Sequence, residues 1–303
     1  MFLPLPLPPD PLPMSATALP QVVHTLADVV ALDHAARRHA LPLADGHMVW
    51  RCWGQGEPVV LLHGGSGSWT HWVRTIAPLV AAGRQVWVPD LPGFGESAAV
   101  VPGGGDADRL PEPMQAALTA LLGDAPVDVV GFSFGTMVGA LLAERWPRRV
   151  RRLVLTGAPA LGVRGPNPIE LRPWAPLPEG PERDAALREN LAILMLAHPD
   201  PEDRLALELH RANLVRDRMR LRRLARTDIM QRTLPRVACP LFGIWGDEDV
   251  LHRGVQAQLA PALAIAPDFR GLVRIPGAGH WAQYEKAEAY VMALAAALGQ
   301  TLP

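Results

Sequence analysis

Val129-Val130-Gly131-Phe132-Ser133-Phe134-Gly135 decides the fold of this 303-residue chain. Val127–Val130 reads as a short strand buried on both faces, and Phe134–Trp146 reads as a helix. Between them a serine is flanked at −2 and +2 by glycine. A serine lifted on so sharp a strand-to-helix turn leaves no room for side chains at those two positions. The helix behind Ser133 points its first amides at any anion formed there.

The pattern continues on both sides of this elbow. Pro58–Leu62 and Gln85–Pro89 read as buried strands, with a helical stretch Trp69–Ala82 between them. His47–Trp53 alternates as a strand, and Val22–His39 reads as an amphipathic helix followed by a turn at Leu41–Gly46. A helix at Glu112–Leu122 precedes the elbow strand, and a strand at Arg151–Thr156 follows the elbow helix. Pro240–Trp245 and Gly271–Ile275 are further strands, alternating with helices at His252–Ala264 and Trp281–Gly299. Such alternation predicts an α/β fold with a mostly parallel sheet. Residues 160–235 interrupt it: a Pro-rich stretch is followed by helical runs at Asp184–Ala197 and Pro201–Thr227. The expected organisation is a Pro-rich leader over 1–20, a core from 21–159 and 236–303, and a helical cap over 160–235. Met14 is an alternative start.

Composition narrows the function. Hydrophobic residues are 49% and charged residues 19%, which is globular. The net charge of −1 gives no basic field for nucleic acid or an anionic membrane. The two cysteines, Cys52 and Cys239, fit no metal spacing and read as buried thiols of a cytoplasmic protein. The expected partner is a small-molecule substrate, with no nucleic acid, membrane, cofactor or metal, and a homodimer is compatible. Lys+Arg is 29 with Lys286 the single lysine, leaving 28 arginines. Serine is scarce, at 15, 66, 68, 97 and 133, so the position of each is informative.

A serine needs a base to act as nucleophile. Of ten histidines, His280 stands in a glycine-rich loop (Pro276-Gly277-Ala278-Gly279-His280) directly after a strand. Catalytic groups gather at the carboxyl ends of strands in such folds. An orienting acid is available after the preceding strand, in Trp245-Gly246-Asp247-Glu248-Asp249-Val250. The order serine, acid, histidine resembles that of the α/β-hydrolase superfamily, and the resemblance runs from His47 to the C-terminus. It implies a catalytic triad Ser133, Asp249 and His280, because the superfamily's acid commonly stands three residues after the glycine of W-G-x-x-D; Asp247 is the alternative. It also implies an oxyanion hole from the amides of Phe134 and of Gly65, the latter in His63-Gly64-Gly65, which resembles the superfamily's H-G-x loop. Asp90-Leu91-Pro92-Gly93-Phe94-Gly95 with Ser97 matches a mostly structural superfamily signature.

The serine nucleophile implies acyl transfer to water, with a small carboxylic ester as the expected substrate. The alternative is hydrolysis of a C–C bond. Gly279-His280-Trp281-Ala282-Gln283-Tyr284-Glu285 is close to the G-H-W-A-Q-W-E segment of the meta-cleavage-product hydrolases, which cut ring-opened aromatics. That resemblance implies substrate contacts for Trp281 and for a cap arginine, of which Arg211 is the positional match. Trp281 is equally readable as a core anchor of the last helix. The seven arginines of residues 211–226 read first as a solvated helix face. Two departures stand out: the loop reads H-G-G-S-G-S where that family has H-G-G-G-P-G, and its asparagine before the nucleophile strand is absent. An acyltransferase would keep the same residues, and a non-catalytic receptor on this fold is a further alternative.

Overall fold

The structure is a computed structural model and describes residues 19–100, 106–219 and 222–300. The expected leader lies almost entirely outside these residues, as does Met14. Eight strands form one sheet: β1 (Arg37–Leu43), β2 (Gly46–Trp53), β3 (Glu57–Leu62), β4 (Arg84–Pro89), β5 (Val127–Phe132), β6 (Val150–Thr156), β7 (Leu241–Gly246) and β8 (Phe269–Ile275). Their order is β1-β2-β4-β3-β5-β6-β7-β8. From β4 to β8 all neighbours are parallel, while β2 is antiparallel to both β1 and β4. Val59–Leu62 of β3, Val129–Phe132 of β5 and Leu153–Leu155 of β6 are apolar and buried, as a sheet covered by helices on each side requires.

The chain leaves β3 toward β4 and then returns to place β5 on the other side of β3. That reversal makes a crevice at the carboxyl ends of β3 and β5, where such sheets bind ligands. Leu62 pairs with Gly131, so the loop after β3 emerges beside the serine elbow after β5. Gly246 pairs with Ile275, so the loops carrying Asp249 and His280 leave the other half of the sheet side by side.

Two expected elements are corrected. The N-terminal helix spans only Leu26–His34, where Thr25 and Asp28 form a capping box, and Arg37–Leu43 is a strand. This strand is a half-exposed sheet edge joined to β2 through an Ala44-Asp45 turn, so it never needed an apolar run. The helix expected over Pro201–Thr227 spans only Arg204–Val215, followed by irregular chain and short helices at Leu224–Arg226 and Ile229–Thr233. Arg218 reaches the carbonyls of the Phe94–Ser97 segment and Arg222 reaches Ser66. The excursion between β6 and β7 is helical and carries no strand among its described residues. No helix among the described residues is long and apolar enough to cross a membrane. Both cysteines are buried, which pushes each thiol up to about 11.

Candidate active site

The elbow is built by steric exclusion. Ser133 has φ 48° and ψ −114°, a conformation that costs a non-glycine residue on the order of 1–3 kcal/mol. Its N–H donates to Thr156 O at 2.8 Å, and its carbonyl accepts from Thr136 N at 3.0 Å, which hold the turn. A Cβ on Gly131 would stand 2.7 Å from Gly135 O and from Thr136 N. One on Gly135 would stand 2.4 Å from Leu62 O, so β3 and the elbow touch backbone to backbone.

His280 is 4% exposed, and its Nδ1 lies 2.9 Å from Asp249 Oδ2. The other carboxylate oxygen of Asp249 accepts Leu251 N–H at 3.0 Å. Burial alone would raise the Asp249 carboxyl, but the charges and hydrogen bonds of His280 and His252 outweigh it and hold the group well below the usual carboxylate range. Gly246 is required here, since a Cβ on it would stand 2.1 Å from Gly279 O. Gly157, which follows β6, does the same from the other side: its Cβ would come within 2.9 Å of His280 Cε1 and 3.1 Å of Asp249 Oδ2. Asp247 instead pairs with Arg274 near the surface, 2.5 Å away.

Ser133 and His280 line one cavity of about 360 Å³, together with Gly65 and Phe134. The loop carrying Gly65 is locked by two buried histidines. Leu91 N–H donates to His63 Nε2 at 2.9 Å, which leaves the ring proton on Nδ1, 2.8 Å from Gly64 O. With that carbonyl held toward His63, the trans peptide turns the Gly65 N–H to the opposite side. His71 Nδ1 accepts Gly64 N–H at 3.2 Å. Gly67 makes room for that ring, since a Cβ there would stand 2.2 Å from His71 Cε1. Burial keeps His71 neutral, well below its ordinary value, and neighbouring His63, His210 and His280 add to the effect.

Two expected substrate contacts are not at this cavity. Trp281 is 1% exposed and lies behind His71: its indole N–H donates to His71 O at 3.0 Å, and its ring stacks on Tyr284. Arg211 faces Asp184 and Glu208 and does not line the cavity, because the turn of its helix presents the preceding residue, His210, there instead. Burial lowers the His210 imidazole to about 4. The arginines that do line the cavity are Arg222 and Arg226. The guanidinium of Arg226 holds no ion pair among the described residues, whereas that of Arg222 pairs with Asp217 at 2.6 Å.

His71, His210, Gly157 and Glu285 were not singled out by the sequence. The Glu285 carboxylate accepts the N–H groups of Gly279, Ala197 and His198, so it ties the His280 loop to the helical segment above. The available signals were the position of His71 between Trp69 and Trp72, a glycine immediately after a strand at 157, and the place of Glu285 at the end of the Gly279–Glu285 segment. The Asp90–Ser97 segment is structural: Asp90 accepts Trp69 N–H and Glu96 N–H and pairs with buried Arg51. Among the described residues no group of histidine, cysteine or acidic side chains could hold a metal ion.

Comparison with known proteins adds the family. A model of the alpha/beta hydrolase fold matches residues 57–191. The chain is 32% identical over 257 residues to a 2-hydroxy-6-oxo-6-phenylhexa-2,4-dienoate hydrolase of Burkholderia cepacia, covering 78% of this chain and 86% of the relative. It is 30% identical over 293 residues to a 2-hydroxy-6-oxononadienedioate/2-hydroxy-6-oxononatrienedioate hydrolase of Cupriavidus pinatubonensis, covering 87% and 96%. Among solved structures, a putative lipase of Acinetobacter baumannii superposes with a TM-score of 0.73 at 17% identity, covering 96% of this chain and 98% of that one. The enol-lactonase of Burkholderia xenovorans superposes with 0.68 at 21% identity, covering 86% and 100%. These two likenesses concern the fold. With the elbow, the sheet order and relatives of this length and identity in hand, the chain belongs to the α/β-hydrolase superfamily.

Proposed function

We propose that this chain is a serine hydrolase that cleaves a C–C bond next to a carbonyl in a ring-opened aromatic, of the 2-hydroxy-6-oxo-dienoate type. The observation that carries the chemistry is the convergence of Ser133, the His280–Asp249 pair, Gly65 and Phe134 on one cavity. What favours C–C bonds over esters is the identity of the relatives, at about 30% over most of both chains.

In this reading His280 Nε2 takes the Ser133 hydroxyl proton while Oγ attacks the 6-oxo carbon. The amides of Gly65 and Phe134 receive the oxyanion. The substrate has by then ketonised, its 2-hydroxyl proton exchanged for one on C5; the C5–C6 bond breaks, its electron pair delocalises through C3=C4 to the 2-oxo oxygen, and the proton held by His280 neutralises the resulting dienolate. Water, deprotonated by His280, releases the acid from Ser133. Asp249 holds the imidazole tautomer throughout and stays ionised. The helical excursion over residues 160–235 serves as the cap of this site. A dienoate carries a carboxylate, and Arg226, which lines the cavity and holds no ion pair among the described residues, is the cap cation placed to receive it, in place of Arg211.

Ester hydrolysis is the second reading. It is favoured by the apolar wall next to the nucleophile, where Phe132 precedes Ser133 and packs against His280 with ring centroids 5.0 Å apart. The two readings share every step on Ser133 and differ in leaving group. They are separated by kcat/KM on a phenyl-substituted meta-cleavage dienone and on p-nitrophenyl butyrate, with Ser133→Ala as blank. A hundredfold preference, about 2.7 kcal/mol at the transition state, for the dienone supports C–C hydrolysis. The same preference for the ester replaces it.

A further inference from the structure

The loop that departs from the family pattern, His63-Gly64-Gly65-Ser66-Gly67-Ser68, carries hydroxyls at alternate positions: Ser66, Ser68 and Thr70. All three reach the cap. Ser68 Oγ donates to Asn213 Oδ1 at 2.7 Å, and Asn213 Nδ2 donates to Thr70 Oγ1 at 3.0 Å. Four residues on, Asp217 Oδ2 accepts the Ser66 hydroxyl at 2.6 Å. The same oxygen accepts Arg222 Nη1 at 2.6 Å, and Arg222 Nη2 donates back to Ser66 Oγ at 3.1 Å. Asp217 is itself fixed, its Oδ1 accepting Met219 N–H at 3.0 Å. The backbone beyond it is held too, since Arg218 N–H donates to Gly93 O at 2.8 Å.

Ser66 is one of three described non-glycine residues with positive φ, at 48°. A strained backbone persists only where its surroundings over-determine it. Here the closed triangle of Ser66, Asp217 and Arg222 supplies charge-assisted bonds of the short, strong kind. It does so one residue from Gly65, whose Cα faces the Arg222 side chain: a Cβ there would meet Nε at 3.4 Å. His63 and His71 hold Gly64 from the core side, and this triangle holds the Ser66 side chain from the cap side.

Building on the serine-hydrolase reading above, we propose that Ser66, Asp217 and Arg222 form a brace through which the cap sets the position of the Gly65 amide. Ser66 and Asp217 are thus positioning residues for the oxyanion hole. Nothing in the brace needs to touch the substrate's reacting atoms.

The test uses the full chain and the variants Ser66→Ala, Asp217→Ala and the double variant. One readout is substrate-free: hydrogen exchange of the amides at 64–67, alongside Tm. The second is affinity for phenylboronic acid, which forms a tetrahedral adduct on a reactive serine, together with kcat and KM on whichever substrate the wild type turns over. The brace predicts faster exchange at 64–67 in each variant. It predicts boronate affinity and kcat lower by about 10- to 100-fold, KM within about twofold, and a double variant no worse than the worse single one. Unchanged exchange at 64–67 overturns the brace. So does a rise in KM with kcat and boronate affinity intact, which is what loss of cap packing alone produces. If wild-type Ser133 binds no boronate and reacts with no fluorophosphonate, the serine-hydrolase reading fails, and the exchange data still decide whether the cap holds the loop.

Discussion

Replacing Asp249 by asparagine tests the acid–base assignment with almost no change in volume. The structure dictates which way the new amide must point. Leu251 N–H donates to Oδ1 at 3.0 Å, so that position must remain an oxygen. The amide nitrogen is thereby forced to the Oδ2 position, 2.9 Å from His280 Nδ1. An NH₂ there can only donate, so Nδ1 must become the acceptor and the ring proton moves to Nε2. The imidazole then presents an N–H to Ser133 and can no longer take its proton. The developing imidazolium also loses its carboxylate. An orienting aspartate changed in this way costs about 10⁴-fold in kcat, or ~5.4 kcal/mol. Steady-state kcat on the dienone or the ester measures it, with the rate of fluorophosphonate labelling of Ser133 as a parallel readout and Tm as the control for folding. A kcat within tenfold of wild type, at unchanged Tm, refutes the role of Asp249. Asp247→Asn should leave kcat within about threefold, because Asp247 is engaged with Arg274 near the surface.

Further outcomes follow from the same geometry. Arg211→Ala should leave kcat/KM within about threefold, since its partners Asp184 and Glu208 lie outside the cavity. Arg226→Ala should raise KM for a dienoate by about tenfold or more and leave a neutral ester unaffected; equal effects on both contradict a carboxylate contact. Gly131→Ala places a Cβ 2.7 Å from the backbone of Gly135 and Thr136, which cannot rotate away. It should cost about 1–3 kcal/mol in urea unfolding and about 10²-fold in kcat through displacement of Ser133. His210 titrates near 4 in the folded chain against its ordinary 6.5, so the unfolded state binds the proton first. Stability is therefore full above pH 6.5 and falls as pH drops from 6.5 toward 4, by about 3 kcal/mol at most. His210→Asn should flatten the urea-unfolding free energy over that window.

The parallel half of the sheet was legible because burial on both faces leaves a continuous apolar run, as in Val59–Leu62. Strand β1 was not, because an edge strand with one wet face can be written Arg-Arg-His-Ala-Leu-Pro-Leu and still pair fully with β2. The helix expected over Pro201–Thr227 was drawn too long for a related reason. Leucines and arginines at helical spacing continue past Val215, yet the backbone there turns aside. Arg218 reaches three carbonyls of the Phe94–Ser97 segment, and Asp217 reaches the loop after β3. Contacts with distant loops outweigh a local helix preference worth a few tenths of a kcal/mol per residue.

The candidate site divides along the same line. Ser133, Asp249, His280 and Gly65 could be named because each sits in a glycine-marked loop at a strand end, where steric demands are written into the sequence itself. Trp281 and Arg211 were placed by resemblance, and the structure puts each one layer away from the cavity. For Trp281 the reason is His71, a ring that fills the space between the indole and the cavity and that Gly67 alone makes room for. For Arg211 the reason is a single helical step, which hands the inward position to a histidine that is neutral at pH 7. Both displacements remove polar reach from the cavity wall, and Arg226 is left as the one cavity-lining guanidinium without an ion pair among the described residues. A carboxylate-bearing substrate must therefore be read by the end of the arginine run rather than its beginning. That makes Arg226, together with the leaving group preferred in the paired kcat/KM measurement, the point at which C–C hydrolysis and ester hydrolysis make opposite demands on this chain.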